Sequence, residues 1–550
     1  MGDEQELGLA KGLLRFRGGV WVALLVLIAA MQGFGQSAAT LAAKKKAAVK
    51  SSAAHGRTHT AHGKIPVKSR SAEGRSVRSG AKAKSSGSHR TASKATGKTR
   101  VVSRRHAAFA KVYRTGHGNH GLGTTKAAPR YTAPLPSVAE EIAPVRPPVA
   151  GAGAVEFADN LDGFFARLQA IENGDRTQTT RILQFGDSHT AADMMTGRMR
   201  SLMQARFGDG GAGFSYAGHP FAGYRILGTS RAQSAGWVTE GVHFSKIQDT
   251  QLGLGGVANT STRAGETVEL DAPCQTMEVQ YLDQPGGGSF SLLEDGQTVK
   301  NVSTDSGPTG LGPGPETLTT ECAPGVDHHF EVVSESSAPV RLLGFVTEQP
   351  GITYEAIGLN GAEAALMTRW DQAMFATYLK QRDPALIVLA YGTNEASDHN
   401  WTYAAYRNLM SDLVDQLHAT VPKASILVIG PPDRSIRAGR AGRRHGYSWT
   451  TYDETVHITD AQRETCRTHG CAFWSWRDRM GGLGSMNAWA TDGLAQGDHT
   501  HFTSRGYVEL ADDLYSDIIA AYTTWKTANP AADPIARGGT SSATSTSPNP

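Results

Sequence analysis

The sequence predicts an α/β fold built on a parallel sheet, with an antiparallel β-sandwich inserted into it and disordered arms at both ends. Three observations carry this expectation. Short apolar runs at Ile182–Phe185, Leu386–Ala390 and Ile426–Ile429 read as buried strands, the last two continuous and typical of burial on both faces. Stretches with apolar residues at helical spacing alternate with them; Tyr403, Tyr406, Met410, Leu413 and Leu417 mark one such face. From about Arg225 to Glu348 the texture changes to Gly, Ser and Thr with period-two alternation, as in Met277, Val279 and Tyr281 against Thr276, Glu278 and Gln280.

At 550 residues the chain exceeds one ordinary domain. Residues 1–39 have the layout of an export signal. Lys11, Arg15 and Arg17 precede the apolar run Val20–Met31, and Ser37, Ala38 and Ala39 close it. A helix over that run is about 18 Å long against a hydrocarbon core of roughly 30 Å. Cleavage is therefore favoured, and a retained anchor using residues 18–34 is the alternative. Between residues 41 and 130 there are 22 Lys or Arg and one acid, Glu73, so this stretch carries +21 and the rest of the +4 chain carries −17. With almost no large apolar residues it cannot offset its ordering entropy, and 40–150 is expected to be a disordered basic linker. On an exported chain such an arm suits an anionic envelope surface, and no nucleic acid partner is expected; a solvated spacer is the plain alternative. Four cysteines, Cys274, Cys322, Cys466 and Cys471, match no zinc spacing and form two local pairs that an oxidising compartment could bridge.

The folded region is expected from residue 151. Phe157, Leu161, Phe164, Phe165 and Leu168 recur at helical spacing, the Ile182–Phe185 strand follows, and the chain turns through Gly186, Asp187 and Ser188 into a helix carried by Met194, Met199 and Leu202. Residues 151–224 form the first part of the α/β domain and 349–526 the second. Residues 225–348 form the inserted sandwich, in which Trp237 and Tyr281 are either stacking candidates for a polymer or core residues. The last helix carries Tyr507, Leu510, Leu514, Ile518 and Tyr522 behind Thr503 as N-cap, and 527–550 is a tail of small and polar residues.

Four short motifs fall in order at the carboxyl ends of predicted strands or at helix starts, where open α/β sheets collect ligands. They are GDSH (Gly186–His189), GLNGA (Gly358–Ala362), GTNEA (Gly392–Ala396) and GDHTHFTSRGY (Gly497–Tyr507). In order and wording they resemble the SGNH hydrolases, also called GDSL-type esterases, over residues 155–222 and 349–525. The resemblance implies a flavodoxin-like three-layer fold and a serine esterase. Position by position it implies Ser188 as nucleophile, Asp498 and His501 as the rest of a triad, and the Ser188 amide, Gly361 and Asn394 as oxyanion donors. Within the family the likeness is greatest to peptidoglycan O-acetylesterases, which share the GDSHTAAD-type opening, GTNEA and an inserted carbohydrate-binding-like β-domain. That implies an acetylated polysaccharide as substrate and the periplasm or cell envelope as location. It implies no metal or organic cofactor.

The residue types suit the chemistry. A serine hydroxyl needs an imidazole to take its proton, and a carboxylate three residues before His501 can hold that ring in one tautomer. Many family members have Leu after the serine where this chain has His189, so His189 either meets substrate or serves the turn; His499 stands the same way, and Gly358 is an alternative donor to Gly361. Asp187, His189, Asp498, His499 and His501 are also ligand types for a metal-dependent phosphoesterase, but no further ligand pair lies near Asn394. No G-x-S-x-G occurs, which disfavours an α/β-hydrolase. Transfer of the acyl group to another sugar, an esterase on another acetylated glycan, and a non-catalytic envelope-binding protein are the other readings the sequence leaves; oligomeric state is open.

Overall fold

The computed structural model describes residues 130–133, 154–243, 245–247, 249–308, 312–440 and 447–530. The expected export signal, nearly all of the basic linker and the tail beyond 530 lie outside the described residues. No described helix is long and apolar enough to cross a membrane.

Five parallel strands form the central sheet: β1 (Thr180–Gly186), β2 (Ile352–Gly358), β3 (Leu386–Ala390), β4 (Ser425–Gly430) and β5 (Ala472–Ser475), in the order β2-β1-β3-β4-β5. This is the flavodoxin-like order, and its topological switch point lies between β1 and β3. In register, Gly186 at the end of β1 is level with Gly358 of β2 and Ala390 of β3, so the loops leaving all three strands emerge side by side. Every residue of β2 to β5 is buried, which explains the unbroken apolar runs of β3 and β4.

Successive strand residues point to opposite faces, and two cores follow from that alternation. One packs Leu183, Phe185, Ile387 and Leu389 against α4 (Gln372–Arg382), α5 (Tyr403–Thr420) and α6 (Thr455–His469). The other packs Ile182, Leu386, Val388 and Leu427 against α1 (Asp162–Glu172), α3 (Met194–Phe207) and α7 (Ser504–Ala528). Thr503 caps α7 by accepting from the Gly506 amide.

The helix after Ser188 is not continuous. A four-residue turn, α2 (Ser188–Ala191), ends before Asp193, which has φ 50°, and α3 starts anew. The break is held by the buried Asp193 carboxylate, which accepts from Thr196 Oγ1 at 2.6 Å, Arg200 Nη2 at 2.8 Å and the Leu227 amide at 2.6 Å. A charge removed from water persists only when paired this fully, and here the pairing fixes a left-handed residue.

Between β1 and β2 the chain builds two antiparallel sheets. One contains strands 229–233, 267–273, 289–294, 297–303 and 327–334; the other contains 237–241, 257–261, 276–283, 314–321 and 340–348. Two segments outside 225–348 join them. Gly213–Ser215 pairs with the 340–348 strand, and Tyr131–Ala133, inside the stretch expected to be linker, pairs antiparallel with Thr229–Gln233. A backbone ladder needs no apolar side chain, and Arg130 fastens the edge through ion pairs to Glu269 and Asp271, so composition did not reveal it. Phe214, Leu254, Leu343 and Val346 share a core cluster with Phe185 and Leu389, so sandwich and parallel sheet are packed together. Trp237, 4% exposed, is a sandwich core residue, and Tyr281 packs partly buried against the same core. Both cysteine pairs are disulfides, Cys274–Cys322 and Cys466–Cys471.

Candidate active site

The loops leaving β1, β2 and β3 meet the loop before α7 at the switch point. Ser188 opens α2, where its amide has no intrahelical acceptor. Its Oγ lies 2.9 Å from Nε2 of His501, a residue 313 positions away. On the other side of the ring, His501 Nδ1 is 2.8 Å from Asp498 Oδ2. The Asp498 Oδ1 accepts from the amides of Thr500 and His501, each at 3.0 Å, so the loop itself aims the carboxylate. Carboxylate acceptors at Nδ1 put the hydrogen there and leave Nε2 free to accept from the serine hydroxyl. The hydrogen bond to Asp498 raises the His501 pKa, and the same contacts hold the Asp498 carboxyl well below the usual carboxylate range despite its partial burial.

Asn394 stands beside this chain. Its Nδ2 donates to the Ala362 carbonyl at 2.9 Å and faces Asp187 Oδ2 at 3.5 Å. Gly361 precedes Ala362 in a turn with φ +76°, and a Cβ built on it would lie 2.6 Å from His243 Nε2. The left-handed angle and the approach of His243 both explain a glycine there. Gly358, the alternative donor, is packed elsewhere: a Cβ on it would lie 2.3 Å from the Ala191 amide nitrogen, so it serves the contact between β2 and α2.

Three residues missed as site residues by sequence reading hold these groups in place. The buried Asp187 caps α2 through the His189 amide at 2.9 Å, and its burial pushes its pKa up to about 6. The buried Glu395 accepts from the Ala364 amide at 2.8 Å with one oxygen and the Gly392 amide at 2.9 Å with the other. It thereby ties the Gly361 loop to the Asn394 loop, and burial pushes its pKa up to about 8. Arg434 Nη1 donates to the Thr393 carbonyl at 2.9 Å. The signal for Glu395 was present in GTNEA, but its partner at Ala364 is 31 residues away and invisible locally.

His189 is buried, and its Nδ1 is 2.8 Å from the Tyr507 hydroxyl while its ring packs on Trp476 and Phe502. Burial lowers its pKa to about 3, so it is a neutral packing residue behind His501. His499, with φ 55°, turns its ring onto Trp449 at 3.8 Å and bonds Asn487 through Nδ1. With Asp187 committed to the α2 cap, His189 to Tyr507 and His499 to Asn487, the ligand types named for a phosphoesterase do not converge on one point.

A family model described as GDSL-like lipase/acylhydrolase matches residues 332–508, a span holding Gly361, Asn394, Asp498 and His501. Residues 332–508 thus belong to a GDSL-like, or SGNH, hydrolase domain. Ser188 lies before the matched span because the sandwich separates β1 from β2 in sequence, although the two strands are neighbours in the sheet. A solved structure of a peptidoglycan O-acetylesterase is similar to this hydrolase with a TM-score of 0.56 and 28% identity, covering 67% of this chain and 99% of its own. Family two carbohydrate esterases from Clostridium thermocellum and Cellvibrio japonicus match at 14% and 11% identity, covering 52% and 54% of this chain and 98% of each of theirs. Each has a TM-score of 0.23. No curated protein matches the sequence of this hydrolase.

Proposed function

We propose that this hydrolase is an exported serine esterase that removes O-acetyl groups from peptidoglycan, with Ser188, His501 and Asp498 as its triad. The observation that carries the reading is the continuous chain Asp498–His501–Ser188 at 2.8 and 2.9 Å. Peptidoglycan as the polymer is supported by the likeness to the O-acetylesterase structure. Export is supported by the charged-apolar-small layout of residues 8–39 and by two disulfides, which persist in oxidising compartments.

In the proposed reaction the Ser188 oxygen attacks the acetyl carbonyl as its proton passes to His501 Nε2. Negative charge gathers on the carbonyl oxygen, where the Ser188 amide, the Gly361 amide and the second Asn394 amide hydrogen converge. The protonated His501, held by Asp498, gives its proton to the departing sugar oxygen, leaving acetyl-Ser188. Water then attacks the acyl-enzyme, gives its proton to His501, and acetate leaves as Ser188 is reprotonated. Throughout, Asp498 stays ionised and holds the ring.

The test compares acetate release from O-acetylated peptidoglycan and from acetylated xylan, with the wild type and Ser188→Ala. Release from peptidoglycan that the variant lacks is expected. A protein that binds the polymer yet turns over neither glycan nor an aryl acetate would be an envelope-binding protein instead.

A further inference from the structure

Beside the proposed triad stands a two-stranded hairpin, Ser435–Arg440 paired with Tyr447–Thr451, that no step above uses. Its first residue is tied to the triad loop, since the Ser435 amide donates to the His499 carbonyl at 3.0 Å. Trp449 lies flat on the His499 ring, with centroids 3.8 Å apart and planes 13° from parallel. His499 is the residue next to Asp498, so the hairpin is fixed to the rim of the site by both backbone and ring.

Arg437 is opposite Trp449 in the ladder, and Tyr447 lies two residues before Trp449 on the same strand face. The Arg437 guanidinium sits 4.3 Å from the Tyr447 ring centroid and 5.4 Å from that of Trp449. It is exposed, as is Tyr447, and among the described residues it has no ion-pair partner. Stacking on aromatic faces fixes the plane of a guanidinium while leaving its N–H edge free, and that edge matches a carboxylate in two-point geometry. Between residues 434 and 452 the sequence holds five arginines and no acid, a composition that attracts anions.

We infer that this hairpin is a carboxylate subsite, centred on Arg437, that selects acetylated glycans bearing acidic substituents over neutral ones. The inference rests on the proposed esterase reading and narrows it. Peptidoglycan strands carry peptides with free carboxylates, whereas acetylated xylans and mannans without acidic branches do not. The hairpin therefore supplies a reason, independent of overall likeness, for the enzyme to favour the charged polymer. An exposed ion pair contributes little by itself, so the stacked, preoriented guanidinium is the feature that would make the contact selective.

The test uses the full chain and one substrate in two forms: O-acetylated muropeptides with their carboxylates free, and the same muropeptides with those carboxylates amidated. The quantity read is the ratio of kcat/KM between the two. In the wild type the free form is favoured by about tenfold, the value of one charge-assisted contact. The ratio falls towards one in Arg437→Ala, drops below one in Arg437→Glu, and shrinks for the wild type in 0.5 M salt, following roughly the screening of exposed charges. Equal rates for both forms in the wild type, with aryl acetate still hydrolysed, overturn the subsite and leave the esterase reading standing. Loss of every ester substrate, aryl acetate included, removes both. A ratio that Arg437→Glu does not move places the selectivity elsewhere and overturns the assignment to this hairpin.

Discussion

Replacing Asn394 by alanine separates the two duties its side chain has. One amide hydrogen is spent on the Ala362 carbonyl at 2.9 Å; the other faces Asp187 at 3.5 Å, too long for a strong bond, and is the one available to a developing oxyanion. Losing the first contact should cost about 1 kcal/mol of stability, a fall in Tm of a few degrees. Losing the second removes a donor that gains strength only as charge develops, and such donors contribute about 3 kcal/mol to the transition state. Asn394→Ala is therefore expected to lower kcat on an aryl acetate by roughly 10²–10³-fold with KM changed less than about threefold. The assay is steady-state hydrolysis by variant protein whose folding has been checked by thermal melting. A raised KM with unchanged kcat would place Asn394 in ground-state binding and refute its role as an oxyanion donor.

Other outcomes follow from the same geometry. As the proposed base His501 can act only when neutral, and Asp498 raises its pKa above the ordinary 6.5, so kcat/KM should fall on acidification with a midpoint above 6.5. In Asp498→Asn that limb should move to lower pH while the rate drops on the order of 10⁴-fold; an unmoved limb would detach Asp498 from His501. Glu395→Gln sets an NH₂ against the amide of Ala364 or Gly392, and should lower both Tm and kcat, at about 1–3 kcal/mol of stability; wild-type activity in that variant would mean the two loops do not depend on the clamp. Gly361→Ala must accept φ +76° and displace His243, and should lose rate that His243→Ala restores only in part; full recovery would exclude backbone strain. Replacing both cysteines of each disulfide by serine should cost about 4 kcal/mol for Cys274–Cys322 and about 2 for Cys466–Cys471, because they close 48 and 5 residues of chain; the reverse ranking in urea melts would contradict loop entropy as the cause.

The fold was legible where burial is symmetric and hidden where partners are distant. β3 and β4 stood out because strands buried on both faces carry unbroken apolar runs, and β1 because Ile182, Leu183 and Phe185 precede the Gly-Asp-Ser turn. β2 was passed over because Thr353 and Glu355 interrupt it. Both are fully buried, and Glu355 is tolerated there because Arg382, 27 residues away on α4, pairs with it at 2.5 Å. The helix after Ser188 was read as continuous because nothing local announces that Asp193 is engaged by Arg200 and Leu227. Ser188, Asn394, Asp498 and His501 were named from four ordered motifs, and the structure brings Ser188, His501 and Asp498 into one hydrogen-bonded chain with Asn394 alongside. The roles of the residues that hold them were not read: Asp187 and Glu395 act through backbone amides, a contact that no residue pattern encodes. Tyr447 and Trp449 are two residues apart on one strand and Arg437 faces them from the other, a grouping that arises only when the hairpin forms and packs against His499.

Ser188 is proposed as a nucleophile activated by His501 and Asp498 behind it. Intact-mass and peptide mapping after brief exposure to a sulfonyl fluoride tests this most directly. One adduct is expected, on Ser188, formed quickly in the wild type and slowed at least about 10³-fold in His501→Ala. A label on another residue, or equal labelling of Ser188 without His501, would contradict it.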